Sequence, residues 1–345
     1  MNKQILPTES EGTPIQNIEI YGTIGPRCSD AETLTAMFEA GMTGVRLNLS
    51  HVTLPHAAGQ IENLHRAAAN CGKRAQLLID MQGPELRIGA LPSPFTLREG
   101  DFTVLGKGGI PVPDLIFPSL RPGQEVLLDD GKLLLEIRSV AQDSASAEVL
   151  RGGLLQSRKS IALPGVSIHT PTMTETDREN IRLAKDYGVT GVMQPFVRDR
   201  QDLETVRAAL DASGAREIRL FAKIENREGL SNLSELIPAC DEIVIARGDL
   251  GNAMPLWDLP RAQKEIETQC REACRPFMVV TQMLASMEHS PVPTRAEVSD
   301  IFNAVCDGAA SVMVTGETAV GDHPVEAIRY LANTAASALR YLETL

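Results

Sequence analysis

Eight short apolar runs, each followed by a stretch long enough to form a helix, constrain the fold of this chain more than any other feature. The runs cover residues 18–24, 44–51, 75–80, 191–196, 218–225, 242–251, 277–281 and 311–315. Apolar strands that alternate with helices are typical of a parallel sheet, and eight such repeats are the number in a (β/α)8 barrel. The pattern therefore predicts an α/β fold of the TIM-barrel class.

A doubly wound open sheet is the main alternative to the barrel. No glycine-rich dinucleotide fingerprint follows the first run, which disfavours that alternative. Polar residues also lie at the carboxyl end of almost every run: Arg46 and Asn48, Asp80, Lys223 and Glu225, Asp249, Thr281, and Thr315. In a barrel these ends meet at one mouth, where the active sites of this fold lie. We therefore expect a closed barrel with one polar mouth.

The hydrophobic period changes after the third run. Between residues 88 and 158 the sequence has short alternating runs and the turn signal Asp130-Gly131, without a helical pattern. We predict a small β-rich lid domain inserted after strand three. The chain then divides into the first part of the barrel at residues 1–87, with a loose lead-in at 1–16, the lid at 88–158, and the second part of the barrel at 159–345.

Three pairs of residues have the spacing of a helix capping box, in which two side chains satisfy the free backbone N–H groups of a first turn. The pairs are Ser29 with Glu32, Thr174 with Asp177, and Thr294 with Glu297. Each pair predicts the start of a helix, and the helix after Thr174 is expected to run to about Tyr187, ahead of the strand at 191–196.

Charge and cysteine usage exclude several classes of function. The formal net charge of −12 disfavours nucleic acid or an anionic membrane as a partner. The six cysteines are scattered and indicate free thiols in a reducing compartment. No apolar signal core and no run of about 18 apolar residues occurs, so we expect no membrane association and a cytoplasmic location.

The stretch 218–251 carries the residues with the clearest chemistry. Alternate side chains of a strand share a face, so Lys223 and Glu225 point the same way at a carboxyl end. The next run ends in a turn where Gly248 lets backbone N–H groups approach a ligand, and this turn delivers Asp249. Two carboxylates on neighbouring strands suit a divalent cation that keeps positions open for a phosphorylated substrate. A purely structural Lys–Glu ion pair is the alternative interpretation.

The second run adds three polar side chains, Arg46, Asn48 and Ser50, on one face of a strand. Inward polar groups require a ligand or an ion to satisfy them. A mouth with cations, paired carboxylates and few aromatic residues suits phosphoryl transfer or metal-stabilised enolate chemistry. A nucleophilic triad is poorly supported, because none of the six histidines lies in a nucleophile motif.

Taken together, these motifs resemble those of pyruvate kinase. The matching stretches follow the family's order and are residues 23–26, 45–51, 80 with 83–87, 129–131, 157–159 with 163–165, 222–226, 246–251, 281–284, 293–297 and 316–319. The resemblance implies phosphoryl transfer from phosphoenolpyruvate to ADP, giving pyruvate and ATP, in a barrel with a lid that closes over the site.

The resemblance also implies catalytic roles. Glu225 and Asp249 would hold Mg²⁺ or Mn²⁺, which bridges to phosphoenolpyruvate. Lys223 would neutralise the phosphoryl group during transfer, and Arg46 would bind that group from the side. Thr281, or a nearby water network, would support protonation of the enolate.

Three further sets of residues match binding positions of the family. The backbone at Gly248 and Asp249, with Thr281, would receive the substrate carboxylate. A second set, Asn48, Ser50 and Asp80, would bind a monovalent cation, normally K⁺, and Glu85 fits the potassium-dependent form of the family. A third set, His51, Arg87 and Lys159, would bind the nucleotide.

The chain also departs from the family pattern. A C-terminal domain, which usually carries the effector site and part of the tetramer contact, does not follow the last predicted barrel helix. We therefore expect a short form without that type of allostery, and a homo-oligomer, with a dimer through barrel helices favoured. The lid is shorter than usual, and Met81-Gln82 stands where the family has Thr-Lys. On the nucleotide side, His56 replaces a tyrosine and Val320 replaces a lysine.

Two other functions remain open from the sequence. A metal-dependent aldolase or lyase acting on a pyruvate enolate would also use a Glu/Asp metal pair, but the lid, Lys223 and Lys159 argue against it. A non-catalytic phosphoenolpyruvate sensor or partner subunit would fit the altered nucleotide side, although the phosphoryl-transfer residues remain.

Overall fold

Eight parallel strands close into a barrel in the computed structural model, which describes residues 18–83, 86–129, 131–166, 168 and 170–345. The barrel strands are β1 (Glu19–Thr23), β2 (Gly44–Asn48), β3 (Gln76–Asp80), β11 (Gly191–Gln194), β12 (Arg219–Ile224), β13 (Glu242–Ala246), β14 (Phe277–Val280) and β15 (Ser311–Met313). They neighbour one another in that order, and β15 pairs with β1 to complete the ring. The predicted barrel is confirmed, and each strand lies within the predicted run.

Helices follow the barrel strands and cover the outside of the ring. They are α1 (Ala31–Glu39), α2 (Ala58–Asn70), α3 (Glu175–Leu183), α4 (Arg200–Ala212), α5 (Arg227–Ser231), α6 (Leu233–Leu236), α7 (Arg247–Asn252), α8 (Leu259–Glu272), α9 (Arg295–Cys306), α10 (Gly316–Ala319) and α11 (Pro324–Leu342). None of the helices in the described ranges combines the length and apolar character needed to cross a bilayer.

Two of the three helix caps predicted from residue spacing are present in the structure. Thr174 and Thr294 each form the predicted capping box at the start of α3 and α9. The predicted cap at Ser29 is wrong by one residue. Asp30 caps α1 instead, because its Oδ1 accepts a hydrogen bond from the backbone N of Thr33 at 2.8 Å. A carboxylate also complements the positive end of the helix dipole.

Between β3 and β11 the chain forms two small antiparallel sheets. Their strands are β4 (Phe95–Leu97), β5 (Phe102–Gly106), β6 (Glu125–Leu128), β7 (Leu133–Val140), β8 (Ser144–Arg151), β9 (Gly153–Leu155) and β10 (Ile161–Ala162). One sheet has the order β10-β6-β7-β8-β5, and the other pairs β4 with β9. This insertion has its own apolar core, which includes Leu105, Val126 and Leu135. Its predicted limits, residues 88 and 158, stay a prediction.

Two chain segments join the insertion to the barrel, and they lie side by side. The backbone N of Ile88 donates to the carbonyl of Lys159 at 2.9 Å, and the N of Ile161 donates to the carbonyl of Leu86 at 2.9 Å. These hydrogen bonds hold the two connecting segments together where the insertion joins the barrel.

The barrel interior is packed with side chains. Phe221 of β12 and Val244 of β13 belong to an interior cluster, whereas Leu220 and Ile243 pack outward against the helices. Because side chains alternate along a strand, the next inward position on β12 after Phe221 is Lys223. The filled interior therefore forms a floor beneath the polar groups at the mouth.

A polar network closes the amino-terminal end of the barrel. Its members are Glu19, Tyr21, Gln76, Arg219, Glu242 and Ser311. Glu242 is 2% exposed, accepts a hydrogen bond from the Ser311 hydroxyl, and lies 3.7 Å from Nη1 of Arg219. Burial raises the pKa of Glu242 to about 7, and Ser311 and Arg219 offset only part of that effect.

We expect Glu242→Gln to change how stability depends on pH. With its pKa raised, Glu242 binds a proton more tightly in the folded state than in the unfolded one. The contribution of Glu242 to wild-type stability should fall as the pH rises from about 4.5 to 7, by on the order of 3 kcal/mol, and then level off. The glutamine variant should lose this decline and be the more stable protein at pH 8. The free energy of unfolding in urea, measured from pH 5 to 8, tests this expectation, with the exposed Glu265→Gln as the control variant. If this free energy depended on pH in the same way in wild type and E242Q, the expectation would be contradicted.

Candidate active site

Lys223 lies at the centre of the mouth, between two carboxylates from different strands. Its Nζ is 3.0 Å from Oε1 of Glu225 and 3.1 and 3.2 Å from the two carboxylate oxygens of Asp80. Burial by itself lowers the pKa of a lysine, but Asp80 and Glu225 outweigh burial and raise the pKa of Lys223 above its ordinary value. Lys223 is therefore a fixed positive charge at the carboxyl end of β12.

Asp80 connects the two cations of the mouth. It is 2% exposed, and its Oδ2 accepts from Nε of Arg46 at 2.8 Å and lies 2.7 Å from Nη2 of Arg46. Burial would raise the pKa of Asp80, but Lys223 and Arg46 together lower it below its usual range. The sequence predicted Asp80 as a K⁺ position and did not predict that this carboxylate aligns Lys223 and Arg46.

Glu225 and Asp249 line one cavity of about 580 Å³, which lies between the barrel mouth and the insertion. Leu127 and Leu163 form part of its opposite wall. Glu225 is 3% exposed, and its Oε2 accepts from the backbone N of Phe196 at 2.7 Å. Asp249 lies in the first turn of α7. The cavity is of the size that holds small-molecule ligands.

The donor set on this cavity is compatible with a hard divalent cation. Mg²⁺ prefers oxygen ligands and is usually held by one or two carboxylates, with water and substrate oxygens in the other positions. Glu225 and Asp249 provide such a pair. No group of three or more His, Cys, Asp or Glu residues with metal-site spacing occurs in the part of the chain that the structure describes.

Thr281 has an unusual backbone conformation next to Gly248, in the segment that was predicted as a turn and forms the first turn of α7. Its φ is +80°, and that of Gln282 is +56°, which are uncommon values for residues with a side chain. The Thr281 carbonyl accepts from Nε and Nη2 of Arg247 at 3.1 and 2.8 Å, and Arg247 also pairs with Asp300. A Cβ at Gly248 would lie 3.1 Å from Cγ2 of Thr281. Strain held by surrounding contacts is typical of functional sites.

The predicted monovalent-cation residues lie beside Asp80. Strand pairing places Asn48 opposite Asp80, and the backbone N of Leu49 donates to the Asp80 carbonyl at 2.9 Å. The Asn48 Oδ1 accepts from the backbone N of Ser50 at 3.1 Å. Glu85, the fourth residue in this prediction, lies outside the described residues. Their function as a K⁺ site stays a prediction.

The predicted nucleotide residues come together where the insertion joins the barrel. Arg87 pairs with Ser160 in a β-bridge, and Lys159 forms an ion pair with Asp129 at 2.9 Å. Partial burial, followed by the positive charges of Arg87, Arg46 and Lys159, lowers the pKa of His51. His51 is therefore neutral near pH 7 and lies in a strongly cationic environment.

Sequence reasoning missed two residues that support the site. Arg247, the first residue of α7, donates hydrogen bonds to the carbonyl of Thr281 as described above. Asp177, predicted only as a capping residue, also accepts from the backbone N of Gln82 at 2.9 Å and of Gly83 at 3.1 Å. It therefore ties α3 to the segment that leaves β3. Both residues are visible in the sequence, but their hydrogen-bond partners are distant in the chain and could not be predicted from local spacing.

A comparison with protein families gives the decisive match. The barrel domain model of pyruvate kinase matches residues 15–328. The chain belongs to the pyruvate kinase family. The matched region includes every residue of the mouth described above, so membership of the family and the geometry of the site concern the same part of the chain.

Individual relatives agree with the family assignment. The chain is 37% identical to the pyruvate kinase of Aeropyrum pernix over 330 residues, which cover 95% of this chain and 72% of the relative. It is 37% identical to the pyruvate kinase of Geobacillus stearothermophilus over 336 residues, covering 94% and 57%. It is 38% identical to that of Chlamydia pneumoniae over 331 residues, covering 92% and 67%. The chain thus spans only part of the length of these pyruvate kinases.

Proposed function

We propose that this pyruvate kinase family member transfers a phosphoryl group from phosphoenolpyruvate to ADP. The P–O bond of phosphoenolpyruvate breaks, a β-phosphate oxygen of ADP forms the new P–O bond, and the enolate takes a proton to give pyruvate. The main support for this proposal is the position of Lys223. It lies between Asp80 and Glu225, next to the cavity that Glu225 and Asp249 line. A fixed ammonium group at this place can stabilise the charge of a phosphoryl group in transfer.

Glu225 and Asp249 are proposed to hold Mg²⁺ or Mn²⁺. When bound there, the cation would neutralise substrate oxygens and orient the phosphoryl group. Glu225 is prepared for this role because the N–H of Phe196 and the ammonium of Lys223 fix both of its oxygens. A carboxylate that does not have to reorganise loses less entropy when it binds a ligand.

Arg46 and Thr281 are proposed to act on opposite sides of the substrate. Arg46 reaches the mouth from β2 and would bind the phosphoryl group, since a guanidinium group donates several hydrogen bonds to phosphate oxygens. The backbone at Gly248 and Asp249, with Thr281, would bind the substrate carboxylate. Thr281, or water that it orients, would supply the proton to the enolate carbon.

K⁺ is the second proposed cofactor. Asn48, Ser50 and Asp80 offer oxygen atoms near the carboxyl ends of β2 and β3, and Glu85 fits the potassium-dependent form of the family. A monovalent cation there would add positive charge close to Arg46 without competing for Glu225 and Asp249. Replacing K⁺ with Na⁺ should then lower the rate.

The nucleotide side is proposed to include His51, Arg87 and Lys159. Arg87 and Lys159 lie on the two segments that connect barrel and insertion, so closure of the insertion as a lid would bring them toward ADP and exclude water. The chain differs from the family at His56, whose Nδ1 lies 2.7 Å from Oγ1 of Thr53, and at Val320, which is 57% exposed. These two differences favour a sensor that binds phosphoenolpyruvate without turnover as the second candidate function.

Pyruvate formation with different acceptors separates the candidate functions. We expect turnover of phosphoenolpyruvate only when a nucleoside diphosphate and a divalent cation are both present, with ADP accepted among the diphosphates compared. Turnover without nucleotide would indicate a lyase or hydrolase, and binding of phosphoenolpyruvate without turnover would indicate a sensor. Either result would overturn the proposed reaction.

We also propose a cytoplasmic homodimer. All six cysteines are free, which fits a reducing compartment. Exposed apolar side chains on the barrel surface, including Leu256 and Trp257, provide area that a second copy would cover. Light scattering after size-exclusion chromatography measures the subunit number; a monomer at micromolar concentration would contradict the dimer.

A further inference from the structure

A second cavity, of about 400 Å³, lies at the amino-terminal end of the barrel. It is lined by residues of the segments that lead into three barrel strands: Arg216 three residues before β12, Asp241 directly before β13, and Arg275 two residues before β14. Strands rise about 3.3 Å per residue, so a five-residue strand separates this cavity from the mouth by roughly 16 Å. It is therefore distinct from the proposed active site, and nothing in the proposed reaction uses it.

One arginine of this cavity, Arg207, is held by the protein through both terminal nitrogens of its guanidinium group. Nη2 of Arg207 lies 2.6 Å from Oδ2 of Asp241, and Nη1 donates to the carbonyl of Ile218 at 3.0 Å. Asp241 also accepts from the backbone N of Leu220 at 2.7 Å. Arg207 and Asp241 thus form the frame of the cavity, and their charges cancel.

Two further arginines have no such partner. Among the described residues, Arg216 and Arg275 form no ion pair and no side-chain hydrogen bond, and Nε of Arg275 is buried without an acceptor. The charge of Arg275 acts on the thiol of Cys240, which lies in the cavity wall. Arg216 is exposed and Arg275 is half-buried, so both arginines can offer guanidinium N–H donors to an oxyanion that enters the cavity they line.

We propose that this cavity binds a small phosphorylated metabolite through Arg216 and Arg275. Arginine donates paired hydrogen bonds to phosphate oxygens, and the cavity is large enough for an organic group beside the phosphate. The chain has a net charge of −12, so a site for an anion must be local. Asp211, which also lines the cavity, reduces the local positive charge and so weakens the binding of anions.

Titration calorimetry with inorganic phosphate as the probe tests the site. We expect saturable binding by the full chain, and a loss of about tenfold or more in affinity when Arg216→Gln and Arg275→Gln are combined. Lys223→Met separates this site from the mouth: phosphate binding at the amino-terminal cavity should persist in that variant. Arg261→Gln, an exposed arginine of α8 outside the cavity, is the matched control and should bind as wild type does.

Asp211→Asn provides a second measurement that leaves both guanidinium groups unchanged. Removing this negative charge should tighten phosphate binding several-fold, whether or not the double arginine variant folds. The site is rejected by any of three results: no saturable binding to wild type, unchanged binding in the folded double variant, or unchanged or weaker binding in D211N.

Discussion

Lys223→Met is expected to lower kcat for pyruvate formation by about 10³-fold or more. The substitution keeps most of the side-chain volume and removes the ammonium that lies between Asp80 and Glu225. The phosphoryl group would then lose its nearest fixed positive charge during transfer. Because the loss concerns the transition state, KM for phosphoenolpyruvate should change much less than kcat. Steady-state kinetics at saturating ADP and Mg²⁺ measures both parameters.

The fold should survive this substitution. Asp80 keeps its two contacts with Arg46, and Glu225 keeps the backbone N–H of Phe196. Losing a shared cation from two buried carboxylates should still lower the free energy of unfolding by on the order of 3 kcal/mol. Lys185→Met, at an exposed position after α3, is the control. Near-normal turnover in a folded K223M protein would rule out the assigned role of Lys223.

Glu225→Gln should give the second large effect, a loss of divalent-cation affinity. Glutamine can keep the hydrogen bond from Phe196, but it removes one of the two negative charges that we assign to the cation. We expect the Kd for Mn²⁺ to rise by about tenfold or more and kcat to fall by about 10²-fold or more. Electron paramagnetic resonance measures free Mn²⁺ directly and does not depend on activity.

Glu235→Gln is the matched control for this experiment, because Glu235 is an exposed carboxylate on the nearby helix α6. It should bind Mn²⁺ as wild type does. If E225Q bound Mn²⁺ as tightly as wild type, the cation would have to lie elsewhere. Normal Mn²⁺ affinity with low activity would instead assign Glu225 to positioning Lys223.

The fold could be predicted because its signals are local. Each barrel strand is a short apolar run, and period-2 alternation decides which side chains face inward, so the shared face of Lys223 and Glu225 followed from their spacing. The caps at Thr174 and Thr294 also depend only on neighbouring residues. At α1, two adjacent residues could both cap the helix, and the choice of Asp30 over Ser29 depends on backbone geometry that spacing does not encode.

The contacts between the site residues could not be predicted in the same way. Asp80 and Lys223 are separated by 143 positions, and only closure of the barrel brings them within 3.1 Å. The same is true of Asp177, which joins the start of α3 to the backbone after β3. Arg247 supports Thr281 through the carbonyl, an interaction that no side-chain pattern reveals. Residue types at strand ends could therefore be predicted, but their pairing depends on tertiary structure.

The amino-terminal end of the barrel shows a related limit. Glu242 begins an apolar run whose predicted functional residues, Gly248 and Asp249, lie at the other end. Nothing in the sequence indicated that Glu242 is buried or that it contacts Ser311. The arginines of the second cavity are far apart in the chain, at positions 216 and 275, and line one cavity only because β12, β13 and β14 are neighbours in the barrel.

Phosphorus NMR of the wild-type protein with phosphoenolpyruvate, ADP, Mg²⁺ and K⁺ follows the transferred group itself. We expect the phosphoenolpyruvate signal to be replaced by the γ-phosphate signal of ATP in equal amount, with no inorganic phosphate, and this exchange to stop when Mg²⁺ is chelated. Release of inorganic phosphate, or pyruvate formed without ATP, would show that the mouth around Lys223 does not transfer phosphate to ADP.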